Sequence, residues 1–149
     1  MLDLVNILEK IFCDNIRDNF PESYDEDHIT YCILSEIRNK LAYIEVDSDL
    51  GRISLAWRPW KLKGRFENNF GDIAVLVNIQ DNDGLKIEGV GFLEAKKRYK
   101  DSGLFDAVKE DQLKRIYNKA PHAMMLLYDF RLIEDTTVRL KFHESIITI

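Results

Sequence analysis

Cysteine is almost missing from this chain: Cys13 and Cys32 are the only two in 149 residues, too few for a disulfide framework or a zinc site. Both sit in helical apolar patterns and read as core filler. Histidine is nearly as scarce, and His28, His122 and His143 have no ligand-like spacing to one another. No apolar run approaches the roughly 20 residues of a membrane-spanning helix. Met1-Leu2-Asp3 opens an acid-containing amphipathic pattern rather than a basic leader with a cleavage site. A reducing cytoplasm is therefore the expected setting, with no membrane partner. There is no internal repeat, low-complexity tract or linker, so residues 1–149 read as one domain. Excess positive charge is lacking too, and a formal net charge of −5 excludes a protein that coats nucleic acid by bulk charge.

What is present is a core's worth of apolar residues, 46% of the chain, and an uneven distribution of charge. Residues 1–50 carry twelve acids against four bases, a balance of −8, whereas residues 51–65 carry five bases (Arg52, Arg58, Lys61, Lys63, Arg65) and no acid. Residues 86–119 carry nine bases against six acids. A polyanion would be met by the second and third of these regions. Trp57 and Trp60 stand among the five bases of 51–65, the combination that holds phosphates and stacks on bases. Trp57 taken alone is more simply a core tryptophan.

Leu4, Leu8, Ile11 and Ile16, widened by Val5, Phe12 and Phe20, predict an amphipathic helix over 2–20. An acidic, Pro-containing break follows, in which Asp25 or Asp27 can cap a second helix from about His28 to Tyr43. At about 100° per residue, Glu36 falls between Cys32 and Ile33 on the apolar side of that helix. Either it pairs with Lys40 one turn on, or it carries an acid toward the centre of the molecule. Residues 46–66 read as a strand or hairpin broken by Pro59. Strands over 71–79 and 85–96 flank Asp81-Asn82-Asp83-Gly84, a hairpin turn. Asp101 or Ser102 signals a helix over about 104–118, with Gln112 among its apolar residues and Pro121 ending it. Residues 123–130 are apolar enough for a buried central strand, and 136–149 suit one or two more β segments. The order is α-α-β-β-β-α-β-β, an α/β fold with a mixed sheet flanked by helices.

The chemistry concentrates in Phe70 to Lys96. Asp72 heads one apolar strand and Glu94-Ala95-Lys96 ends the next, with Glu94 and Lys96 on one face because side chains alternate. Asp72 and Glu94 offer hard carboxylate oxygens of the type magnesium takes, and the Ala95 carbonyl can be a third oxygen ligand. Lys96, a cation, cannot bind the metal but can orient a water or stabilise charge on a phosphoryl transition state. Glu36 would complete this shell or a second metal site. A salt bridge between Asp72 and Lys96, with Glu94 on an exposed sheet face, is the plainer alternative.

Gly71-Asp72 at a strand start, the hairpin, and Glu94-Ala95-Lys96 at the end of the next strand resemble the PD-(D/E)xK nuclease superfamily over residues 28–130. The resemblance implies a restriction-endonuclease-like fold, magnesium dependence with manganese able to substitute, and hydrolysis of phosphodiester bonds. It implies Asp72, Glu94 and Glu36 as metal ligands and Lys96 as the catalytic lysine. Gln112, with Tyr117 five residues on, is similar to the glutamine and tyrosine that RecB-type members carry after the lysine. Gly71 stands where the motif name has proline. The nucleic-acid surface expected on this reading comprises Arg58, Trp60, Lys61, Lys63, Lys97, Arg98 and Lys100. The function expected is a DNA endonuclease of restriction, anti-phage defence or repair, acting as a homodimer or within a larger complex. The alternative is an inactive module of the same fold that binds nucleic acid or a protein.

Overall fold

The computed structural model describes residues 4–48 and 51–130. Two helices open it, α1 (Leu4–Asn19) and α2 (Glu26–Leu41). Ile11 of α1 and the stripe Ile29, Ile33, Ile37 and Leu41 of α2 are buried against each other, the 3.6-residue repeat that the sequence carries. The second helix begins at Glu26 because the Asp25 carboxylate caps it, accepting from the backbone N–H of Asp27 at 3.1 Å and of His28 at 3.2 Å. Just past its end, the Ala42 carbonyl is taken by Trp57 N–H at 3.1 Å. Cys13 and Cys32 are half-buried free thiols rather than core filler.

Five strands follow: β1 (Tyr43–Ser48), β2 (Gly51–Lys61), β3 (Ile73–Gln80), β4 (Lys86–Lys97) and β5 (Met124–Tyr128). They lie in chain order in one sheet, antiparallel except for the β4–β5 pair. That parallel pair is joined through α4 (Glu110–Lys119), since parallel neighbours need a crossover. A four-residue helix, α3 (Glu67–Phe70), precedes β3 and is absent from the order expected. The described residues are thus a mixed α/β fold of five strands and four helices.

Alternation gives the sheet two unlike faces. Ile44, Ala95, Leu126 and Tyr128 join the α1–α2 core on one. On the other, Asp72, Glu94 and Lys96 gather, and Glu94 meets Gln112 of α4. Phe70 of α3 stacks on Phe92 of β4, two residues before Glu94, with ring centroids 5.0 Å apart. Helices therefore cover both sides of β4.

Several expectations shift. Pro59 does not break β2: it is buried and paired with Val75. The β1 ladder ends at Ala56, so Pro59's missing N–H faces an unpaired edge and costs no ladder bond. The helix expected from 104 starts only at Glu110, because Phe105 instead bridges to Arg98 in extended form. Ser102 Oγ accepts from Leu104 N–H at 3.2 Å, a turn rather than a helix cap. The 123–130 run forms the outermost described strand, with Met124, Met125 and Leu127 about half exposed, not a central one. The β segments expected over 136–149 lie outside the described residues. Among the described residues no helix is long and apolar enough to cross a membrane.

Two tyrosines tie α2 to β5. Tyr24 Oη donates to the Tyr128 carbonyl at 2.8 Å, and Tyr128 Oη meets Thr30 Oγ1 at 2.8 Å, all in the core. Burial raises both phenols, Tyr24 from 10.0 to about 12. The folded protein holds the Tyr24 proton where the unfolded chain releases it, so this contribution is complete below pH 10 and is lost as pH rises toward 12. In Tyr24→Phe the Tyr128 carbonyl keeps its bond from Arg98 N–H. Urea titrations should find this variant about 1 kcal/mol less stable at pH 7, with a shallower alkaline decline than the parent protein.

Candidate functional site

Asp72 reaches the site because of Gly71. Gly71 has φ +95°, and a Cβ there would lie 2.7 Å from the Leu93 carbonyl oxygen. Only glycine combines that backbone with so close an approach, and proline's fixed φ could not adopt it. Asp72 then stands one step before the Ile73–Leu93 pair, opposite Glu94 across the β3–β4 ladder. Asp72 Oδ2 accepts from Ala95 N–H at 2.7 Å, and the Asp72 carbonyl accepts from Leu62 N–H at 2.7 Å.

Lys96 Nζ lies 2.8 Å from Glu94 Oε1, 3.7 Å from Asp72 Oδ2 and 3.6 Å from Glu26 Oε1, and it donates to the Ala95 carbonyl. Asp72, Glu94 and Lys96 are buried, with relative exposures of 4%, 1% and 8%. Gln112 Nε2 donates to Glu94 Oε1 at 2.9 Å. Glu94 Oε2 is buried without a hydrogen-bond partner. Burial raises the Glu94 carboxyl, with the Asp72 charge adding and the Lys96 hydrogen bond opposing. Burial alone would lower Lys96, but Glu94, Asp72 and Glu26 together carry it above its ordinary value. Three carboxylates against one ammonium leave the cluster short of positive charge.

The structure brings Asp72, Glu94, Ala95, Lys96 and Gln112 together, and it does not bring Glu36. Glu36 pairs with Lys40 on its own helix and accepts from Asn15 Nδ2 of α1 at 2.6 Å, and these partners lower its pKa. It stands ten residues along α2 from the end that meets β4, so the i, i+4 pair prevails and Glu36 is corrected as a site residue. The acid α2 does supply is Glu26, whose Oε2 also accepts from Lys97 N–H at 3.2 Å. Its signal was present: Glu26 heads the buried stripe Thr30, Ile33 and Ile37 at helical spacing.

The basic residues divide. Arg58, Lys63 and Trp60 are exposed, Trp60 by 54%. Arg58 and Trp60 pair with Leu76 and Ala74, on the same sheet face as Asp72. A shallow groove of about 420 Å³ runs beside them between Arg58, Leu76, Asn78 and Glu88. The others are engaged within the chain. Lys61 sits 2.6 Å from Asp27 Oδ1, Lys97 3.7 Å from Asp25 Oδ2, and Arg98 3.0 Å from Asp129 Oδ2 while lying over the Phe105 ring. Lys100 is exposed and donates to the Pro21 carbonyl. Lys61, Lys97 and Arg98 therefore serve the fold, because acids at the start of α2 and beyond β5 neutralise them.

The donor set suits a hard divalent cation: two buried carboxylates, a carbonyl, no sulfur or imidazole, and an oxygen of Glu94 left unpartnered. Among the described residues no group of three or more His, Cys, Asp and Glu side chains is disposed to hold a metal ion as it stands. The three oxygens nearest that role already surround an ammonium. No family model, no curated protein and no solved structure matches this chain.

Gly71→Ala should lower stability by about 1–3 kcal/mol in urea denaturation, since a non-glycine residue at this φ is strained and its Cβ meets backbone. Glu26→Gln should do the reverse. Burial, then Asp72, raise the Glu26 carboxyl above 4.5 against the opposing Lys96 charge. Its stabilising contribution is thus present below that pH and lost as pH rises through the raised folded value. A neutral glutamine keeps it, so Glu26→Gln should melt above the parent protein at pH 7, with the gap closing by pH 4.

Proposed function

We propose that this chain is a magnesium-dependent nuclease of the restriction-endonuclease-like type, acting on DNA, with manganese able to substitute. The observation that carries the reading is the gathering of Asp72, Glu94 and the Ala95 carbonyl around Lys96, at one end of a sheet face that runs on to Trp60 and Arg58. A five-stranded mixed sheet with helices on both sides supports the fold assignment. Asp72, Glu94 and the Ala95 carbonyl would hold the metal, with Glu26 standing where Glu36 was expected. A bound divalent ion would acidify a water and offset phosphate charge.

The chain's own groups do the rest. The Lys96 ammonium can donate to a non-bridging phosphate oxygen or to the attacking water. Gln112 Nε2 holds Glu94 Oε1 in place. The exposed indole of Trp60 offers a stacking platform and Arg58 a phosphate contact. A homodimer or larger complex, and a part in restriction, anti-phage defence or repair, go with this reading.

One observation favours the second reading, an inactive binding module of the same fold: Lys96 is already satisfied by Glu94 and Ala95 within the chain. Cleavage assays separate the two. With magnesium or manganese, the parent protein should cut DNA. Asp72→Ala, Glu94→Ala and Lys96→Ala should each lose roughly 100-fold or more per folded molecule, the folded fraction in the presence of metal being read by circular dichroism. Salt-sensitive DNA binding without cleavage would select the module. On either reading Trp60→Ala should weaken binding by about 1–3 kcal/mol per stacked base, measured by fluorescence anisotropy.

A further inference from the structure

We propose that Lys96 is the resident counter-cation of the acid cluster, and that its ammonium and a divalent ion hold the same oxygens by turns. The inference rests on the nuclease reading for the existence of a metal site, and concerns how that site is regulated. The oxygens that suit a metal are Asp72 Oδ2, Glu94 Oε1 and the Ala95 carbonyl. These same three are gathered about Lys96 Nζ, at 3.7 Å, 2.8 Å and in a direct hydrogen bond. Two cations cannot share one such centre.

Ammonium–oxygen contacts are longer than magnesium–oxygen bonds of about 2.0–2.1 Å. Oxygens spaced around Nζ must therefore close in when the ion changes. Glu94 Oε2, buried and unpartnered on a residue only 1% exposed, is an independent sign that the cluster takes more positive charge than Lys96 supplies.

Lys96 has a flexible four-carbon stem and can withdraw. Once displaced, its ammonium needs an anion, and phosphate oxygens offer one. The metal-free protein is in this way held together by its own lysine, and metal entry frees that lysine for the polyanion. Metal and phosphodiester then favour each other's binding, a coupling that must be reciprocal.

Isothermal titration with Mn²⁺ tests this on the intact chain. Lys96→Met should bind at least ten-fold more tightly than the parent protein. Lys40→Met, which removes the same charge beside Glu36, should bind as the parent does. Where Lys96→Met is unfolded without metal, regain of its circular dichroism on adding Mn²⁺ supports the exchange. In the parent protein, the protected Lys96 ammonium signal in ¹⁵N NMR should shift or vanish as diamagnetic Mg²⁺ saturates, and this reading stands even if no variant folds. Equal Mn²⁺ affinities for the parent and Lys96→Met, or an unmoved Lys96 signal at Mg²⁺ saturation, would overturn the exchange while leaving the metal site intact. Absence of Mn²⁺ binding to every folded protein would overturn the metal site and this inference together.

Discussion

Asp72 and Glu94 stand opposite each other across two paired strands, where like charges repel, in a place water barely reaches. Three neighbouring groups answer that repulsion, while Glu26 adds to it. Ala95 N–H and Gln112 Nε2 each take one carboxylate oxygen, and Lys96 lies against both groups. Gly71 lets the backbone approach Leu93 closely enough for Asp72 to meet Ala95. Removing Lys96 would leave buried charges uncompensated, which costs far more than an exposed pair. The cluster is costly for the fold, and such a cost is commonly kept where a site needs it.

The two faces of the sheet divide the labour. One is closed by α1 and α2 with aliphatic and tyrosine side chains, the buried Tyr24–Tyr128–Thr30 bonds fixing α2 to β5. The other is covered at one end only. There Gln112 of α4 meets Glu94, while Trp60, Arg58 and Leu76, beginning only two ladder pairs from Asp72, are open. Glu26 links the two halves, since it begins the helix that packs one face and its carboxylate lies beside the lysine of the other.

Much of this was legible along the chain. The alternation that puts Glu94 and Lys96 together, the Asp81–Gly84 turn and the capped second helix are short-range matters of backbone period and side-chain chemistry. Asp81 Oδ1 indeed accepts from Asp83 and Leu85 N–H. Glu26 headed the buried helical stripe of Thr30, Ile33 and Ile37, but its closeness to Lys96 depends on where α2 begins against β4, which no local pattern encodes. Glu36 satisfied the periodicity equally well, and its pair with Lys40, its place ten residues along α2 and Asn15 of α1 beside it decided against it. Lys61, Lys97 and Arg98 showed as charge, while their partners Asp27, Asp25 and Asp129 are brought by tertiary packing. Leu104, Phe105 and Val108 carried a helical spacing, but Phe105 lies under the Arg98 guanidinium instead.

The β3–β4 hairpin makes the acid pair a product of local sequence. Its ladder runs eight residue pairs from Gln80–Lys86 to Ile73–Leu93, and the turn at its tip sets which side chains share a face. Because the side-chain period is two, a single-residue insertion in that turn would shift register and send Glu94 and Lys96 into the aliphatic layer under α2. The reverse is also true. A hairpin closes early and at small entropic cost, so Asp72 and Glu94 can be brought face to face before the longer-range contacts of α4 and β5 are made. The centre of the molecule is thus assembled from its nearest neighbours in the chain, and its register is metered by the five residues 81–85 at the opposite end of the hairpin.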